Sequence, residues 1–195
     1  MTKTKITNLT VVSLLSAIVA VISFIPLKTL GLEISFAMVP VAVGAICFGP
    51  GAGAVLGAVF GTVSFLQCFG YSAFGAMLIS ENPVLTFIMC IPTRILAGYL
   101  TGLIFTVFKK TGHKGIGYFV ASLIAPLLNT VFFMSALVLC FYNTETIQGF
   151  VNMLSATNPF IFVILFVGIN GLVEIIAGFV VAYPVSTAIS KYLKL

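Results

Sequence analysis

The sequence predicts an all-α bundle of six membrane-spanning helices, and three observations carry that expectation. First, 61% of the 195 residues are hydrophobic and only 7% are charged, with a mean hydropathy of +1.25. Soluble domains carry about 25% charged residues. Second, apolar runs of about 20 residues recur along the chain, the length that crosses a bilayer. Third, the lysines segregate. Placing six spans puts Lys3, Lys5, Lys109, Lys110, Lys114, Lys191 and Lys194 on one side, and Lys28, Glu33, Glu81 and Glu145 on the other. An odd number of spans would destroy this segregation. By the positive-inside rule the lysine-rich side, with both termini, is cytoplasmic.

The spans follow in order. Span one covers roughly Leu9 to Ile25 and ends at Pro26. Lys3 and Lys5 ahead of it resemble a signal peptide, but the run leads into further spans rather than a separate mature domain, so it reads as a span. A short segment with Lys28, Gly31 and Glu33 leads to a short span two, about Ser35 to Phe48, with Pro40 inside it. Gly49-Pro50-Gly51 makes a turn into span three, about Ala52 to Cys68. Phe69–Glu81 reads as a loop with amphipathic character. Span four is Pro83–Phe108, the basic loop Lys109–Gly115 follows, and span five is about Ile116–Phe141. Tyr142–Asn158 is polar, and span six is Pro159–Ile189. No polar linker divides the chain, so residues 1–195 are expected to form one domain.

Two kinds of residue stand out within the spans. Small residues recur at intervals of four: Ser13 with Ala17 and Ser16 with Ala20 in span one, and Gly49, Gly53, Gly57 and Gly61 across the turn into span three. Such ridges let another helix approach closely, either from the same chain or from a partner subunit. The second kind is polar and deep. Arg94, the only arginine, lies about 11 residues into span four; Asn129 is near the middle of span five; Asn170 and Glu174 share one face of span six. At 1.5 Å per residue the first three sit roughly 15–20 Å below the outer surface. A guanidinium at that depth costs about 2.5–3.5 kcal/mol on insertion scales, so it needs a partner or a ligand. Arg94 pairs with Glu174 to join spans four and six, or anchors an anionic ligand in a pocket open to the outside, or does both, with Glu174 orienting it while the ligand takes its remaining donors. Its planar fork suits a carboxylate, and the two asparagines can each donate and accept. Gln67, Tyr71 and Asn82 are candidates for the upper wall.

Several function classes are excluded by what the chain lacks. It has no P-loop and no HExxH; its one histidine, His113, lies in the basic loop; and it has no aspartate for a carboxylate dyad. Cys47, Cys68, Cys90 and Cys140 lack metal-ligand spacing and read as packing residues. No metal or cofactor is expected. The basic residues sit at helix ends rather than on a face, so the net charge of +5 does not point to nucleic acid. Six spans without a clear inverted repeat are few for a self-sufficient carrier. A solute-binding protein without its own motor fits better. The alternative is a stand-alone facilitator or proton-coupled carrier of a small organic anion using Glu174. An intramembrane enzyme or scaffold is a third reading.

The chain resembles the substrate-binding S components of energy-coupling factor (ECF) vitamin transporters. The resemblance rests on length, six spans, the basic loop between spans four and five, the stretch from Pro40 through Phe48-Gly49-Pro50 to Gly61-Thr-Val-Ser-Phe65, and Asn82-Pro83 followed by Pro92-Thr-Arg94-Ile-Leu-Ala-Gly98. The last stretch is similar to the pantothenate group, which has a Pro-Arg stretch in its fourth helix. The resemblance implies an ABC-type importer in a prokaryotic cell membrane. Its cavity would be built from helices four to six and the loops above them, and its substrate would be a vitamin, with pantothenate the leading choice. It also implies a transmembrane coupling subunit and two cytoplasmic ATPase subunits as partners. In the family an alanine-xxx-alanine motif on helix one meets the coupling subunit. Here Ser13 and Ala17 match it, with the Ser16–Ala20 ridge as competitor.

Overall fold

The computed structural model describes residues 3–25, 27–28, 33–34 and 36–193. Pro26, Gly31, Ser35 and Lys194, which mark expected boundaries or charges, lie outside them, as do the side chains of Lys3, Lys5, Lys28 and Glu33. The described chain is almost wholly helical. Helix α1 (Lys3–Ser23) is followed by a two-residue antiparallel pair, β1 (Leu27–Lys28) and β2 (Glu33–Ile34), in which Leu27 faces Ile34. Then come α2 (Met38–Phe48), α3 (Pro50–Gln67), α4 (Ala73–Glu81), α5 (Pro83–Lys110), α6 (Lys114–Phe141), α7 (Glu145–Met153), α8 (Pro159–Ala177) and, after a π-helical turn at Gly178–Ala182, α9 (Tyr183–Leu193).

Five stretches are long and apolar enough to span a membrane: Ile6–Ser23, Pro50–Gln67, Pro83–Lys110, Lys114–Phe141 and Asn170–Leu193. The remaining expected span is α2, whose 11 residues rise only about 16 Å, roughly half the hydrocarbon thickness. It needs no contact with lipid. All of it but Val39 and Phe48 is buried, and it packs against α1, α3, α5, α6, α9 and the π turn. Pro40 falls in its first turn, where a missing N–H costs nothing.

Two segments differ from the sequence expectation. Phe69–Glu81 is not a loop throughout: Ser72 accepts a hydrogen bond from the Gly75 amide and starts α4. The polar Tyr142–Asn158 segment contains α7, started in the same way by Thr144 accepting from Ile147. Both helices are nine residues long, too short to show as spans, and each is fixed by its cap and its apolar face. Span six is not one run either. Gly168 takes φ 44°, ψ −133°, a conformation L-residues avoid, and divides it into Pro159–Gly168 and the stretch from Asn170 onward.

The glycine ridge of α3 faces inward, against α5. A Cβ at Gly53 would strike the Gly98 carbonyl, one at Gly57 the Arg94 carbonyl, and one at Gly61 would lie 2.8 Å from the Cys90 carbonyl. The contact is reciprocal, since a Cβ at Gly98 would strike the Gly53 carbonyl. This ridge therefore packs the chain's own helices together, backbone on backbone. On α1 the two small-residue ridges separate: Ser13 and Ala17 are exposed, whereas Ser16 and Ala20 are half-buried. Leu15 and Val19 carry the buried face of this helix.

Candidate binding cavity

Arg94 sits two residues after Pro92 in α5. Proline cannot donate to the carbonyl four residues back, and its ring disturbs the ladder around it. Carbonyls near such a disturbance need other donors inside a membrane. Side chains provide them: Thr93 Oγ1 donates to the Met89 carbonyl, and Arg94 Nη1 donates to Cys90 O at 3.0 Å and more weakly to Met89 O at 3.4 Å. The guanidinium is 7% exposed and lies between two rings, 4.8 Å from the centroid of Phe60 and 4.9 Å from that of Phe133. Cation–π contacts reach about 2 kcal/mol when desolvated. Two of them match the insertion cost of about 2.5–3.5 kcal/mol. The rings and its own helix thus offset much of the cost of this charge. Among the described residues its Nε has no hydrogen-bond partner.

Arg94 lines a cavity of about 130 Å³. The cavity gathers Arg94 from α5, Asn129 from α6, Asn170 and Glu174 from α8, and Gln67 from the end of α3. Asn129 Oδ1 is buried and also lacks a hydrogen-bond partner among the described residues. Two residues that line the cavity thus each carry an unpaired buried polar atom, which costs about 1–3 kcal/mol. A ligand presenting the complementary groups would remove both penalties. Asn170 and Glu174 lie just beyond the Gly168 break, with Val167 and Gly171 on the same wall.

Gln67 has a structural tie as well. Its Nε2 donates to the Ser23 carbonyl at 2.5 Å, joining the end of α3 to the end of α1, while Ser23 Oγ turns back to Val19 O. Tyr71 and Asn82 stand outside the lining. Tyr71 is 55% exposed and meets the Phe24 ring edge-on at 5.3 Å. Asn82 Oδ1 accepts from the amides of Val84 and Leu85, starting α5. The wall on that side comes instead from Ser72, Phe74, Gly75 and Leu78 at α4.

The sequence reading missed other lining residues. Ser23, Ser64 and Thr130 supply hydroxyls, and Phe60, Phe133 and Met134 supply apolar area. The cavity also draws on α1 and α3, not only on spans four to six and their loops. The helical spacing Phe60, Ser64, Gln67 carries a signal for one face of α3, but only once Gln67 is known to point inward. Cys68 and Cys90 are packing residues that also line the cavity, and all four cysteines are free thiols. Beyond the cavity, Phe74, Phe150, Phe162 and Phe166 form a cluster, with centroids 5.0–5.8 Å apart in successive pairs, that joins α4, α7 and α8. Thr146 Oγ1 donates to Glu81 Oε1 at 2.6 Å, linking the start of α7 to the end of α4. Among the described residues no group of three or more metal-ligating side chains occurs.

Comparison with known proteins agrees with this architecture. The fold is similar to the solved structure of ThiT from Listeria monocytogenes, at 19% identity and a TM-score of 0.67, over 98% of this chain and 99% of that one. No curated protein sequence matches the chain. The family described as "ECF transporter, substrate-specific component" matches residues 7–186. The chain belongs to this family and is a transporter subunit, not an enzyme.

Proposed function

We propose that the cavity binds a small carboxylate-bearing vitamin, with Arg94 as anchor, and that pantothenate is its substrate. One observation supports this reading: Arg94 and Asn129 line the same cavity, and each has a buried side-chain atom without a hydrogen-bond partner among the described residues. A ligand satisfying them must offer an acceptor with negative character and a donor. Pantothenate has a carboxylate, two hydroxyls and an amide. The carboxylate suits Arg94, and a hydroxyl or amide N–H suits Asn129, with Asn170 and Glu174 also in the lining. Gln67 contributes through the α1–α3 tie, while Tyr71 and Asn82 act at the mouth by shaping the ends of α3 and α5.

In this reading the protein sits in a prokaryotic plasma membrane with its lysine-rich end and both termini in the cytoplasm. It binds substrate from outside and delivers it inward with a transmembrane coupling subunit and two ATPase subunits. The exposed Ser13–Ala17 ridge is the docking face on α1, since the half-buried Ser16–Ala20 ridge is already in use.

The test is a thermal-unfolding screen of the purified protein against B-vitamins. A ligand at 100 times its Kd stabilises by about 2.7 kcal/mol. Pantothenate is expected to raise the Tm, and Arg94→Ala is expected to abolish the shift while the protein still folds, with a lower unliganded Tm from the lost bonds to Cys90 and Met89. A full shift in that variant removes Arg94 as anchor. Proteoliposomes holding this chain alone are expected to show no uptake; accumulation would favour a carrier using Glu174.

A further inference from the structure

A second cleft, of about 390 Å³, lies at the other end of the bundle. Its apolar side is Ile46, Phe48 and Phe105, and its polar side is Thr106, Lys109 and Lys110. Helix packing explains why it exists. A Cβ at Gly102 would lie 2.6 Å from Pro50 Cα, so α5 abuts the α2–α3 turn there. Helix α5 then continues for two more turns to Lys110, past the turn at Gly49, beside which there is open space. The 28 residues of α5 are about 42 Å long, against about 30 Å of hydrocarbon. Its last turn therefore reaches the headgroup level.

Charge is sorted between the two ends. Glu81 lies at the start of α5, and its bond to Thr146 brings Glu145 to the same end. Glu33 follows α1, whose last residue Ser23 is tied to Gln67 beside the cavity. Glu174 lines the cavity. Lys109, Lys110 and Lys114 are at the opposite end. Lys191 joins them, because Tyr118 OH near the start of α6 donates to Ser190 Oγ at 2.6 Å. Among the described residues no glutamate lies at that end, which leaves it a positively charged surface.

We infer that this cleft binds the headgroup phosphate of an anionic phospholipid, with Lys109 and Lys110 on the phosphate and the half-buried Phe48, backed by buried Ile46 and Phe105, against the glycerol and upper acyl chain. A phospholipid matches both halves of the cleft at that depth; free phosphate would leave the apolar half unused. Juxtamembrane lysines attract anionic lipid in this way. The inference does not depend on the identity of the transported substrate.

Native mass spectrometry of the full chain, purified with equal amounts of phosphatidylglycerol and phosphatidylcholine, tests it. Wild type is expected to retain phosphatidylglycerol preferentially, and Lys109→Gln/Lys110→Gln to lower that retention about five-fold or more. Lys114→Gln/Lys191→Gln, which removes the same charge outside the cleft, is expected to retain it as wild type does. Equal retention of both lipids, or an equal loss in both double variants, overturns the inference. Displacement of the lipid by millimolar inorganic phosphate points to free phosphate and overturns the lipid as occupant. Unchanged lipid retention in Lys109→Gln/Lys110→Gln, with loss of co-purifying transporter subunits, assigns the lysines to a protein surface and does the same.

Discussion

The α-carbon of Gly57 lies against the carbonyl of Arg94, so close that any Cβ at position 57 would collide with it. The obstacle is backbone, which cannot rotate away. Gly57→Ala is therefore expected to push α3 from α5, to cost about 1–3 kcal/mol as overpacking does, and to weaken ligand binding by moving Phe60 off the guanidinium. Gly51→Ala is the control. It faces open space in the same helix, and its expected effect is neutral to a gain of about 0.5–1 kcal/mol. Thermal unfolding of both variants in the same detergent reads the difference.

Arg94→Lys keeps the charge and loses the fork. A lysine cannot donate through two nitrogens at once or lie flat between Phe60 and Phe133. Affinity for the carboxylate ligand is expected to fall roughly ten-fold or more, measured by isothermal titration. Asn129→Asp places a carboxylate in the same cavity. It is expected to abolish binding of an anionic ligand, and unchanged affinity would show that Asn129 does not meet it.

Gly168→Ala is expected to destabilise by about 1–3 kcal/mol, because φ 44° with ψ −133° is strained for any residue with a Cβ. Ligand affinity is expected to drop with stability, since Asn170 and Glu174 follow the break directly. Retained affinity with a lowered Tm would separate the break from the binding wall.

Ser13→Leu/Ala17→Leu adds bulk to an exposed ridge. The expected outcome is unchanged ligand binding and Tm, with loss of co-purification with the coupling subunit and ATPases. Ser16→Leu falls on the half-buried ridge, where it is expected to lower the Tm instead. The reverse pattern would move the docking face to Ser16 and Ala20.

What the sequence revealed and what it hid follow one physical line. Arg94, Asn129, Asn170 and Glu174 were legible because a large polar side chain inside an apolar run is costly and calls for a reason. Ser64, Thr130 and Phe60 were not, since small hydroxyls and aromatic rings pack equally well in any helix interface. The glycine ridge was visible as spacing, but only coordinates show that Gly53, Gly57 and Gly61 face α5 rather than a partner. Helices α4 and α7 escaped notice because nine residues held by a serine or threonine cap leave no spanning-length pattern. The break at Gly168 was hidden by its neighbours: one glycine among valines, isoleucines and phenylalanines looks like a packing position.

The glycine ridge also divides the labour of any motion. Where α3 meets α5 at these glycines, backbone touches backbone, and no side chains are interposed that could swap rotamers and let the pair slide. Helix α8 is built the other way, broken at Gly168 and loosened into a π turn at Gly178. The cavity thus has one wall like a bench and one like a hinged jaw. The charge of Arg94 belongs to the bench, so under the proposed function any closure around the ligand falls to α8 rather than to the cation.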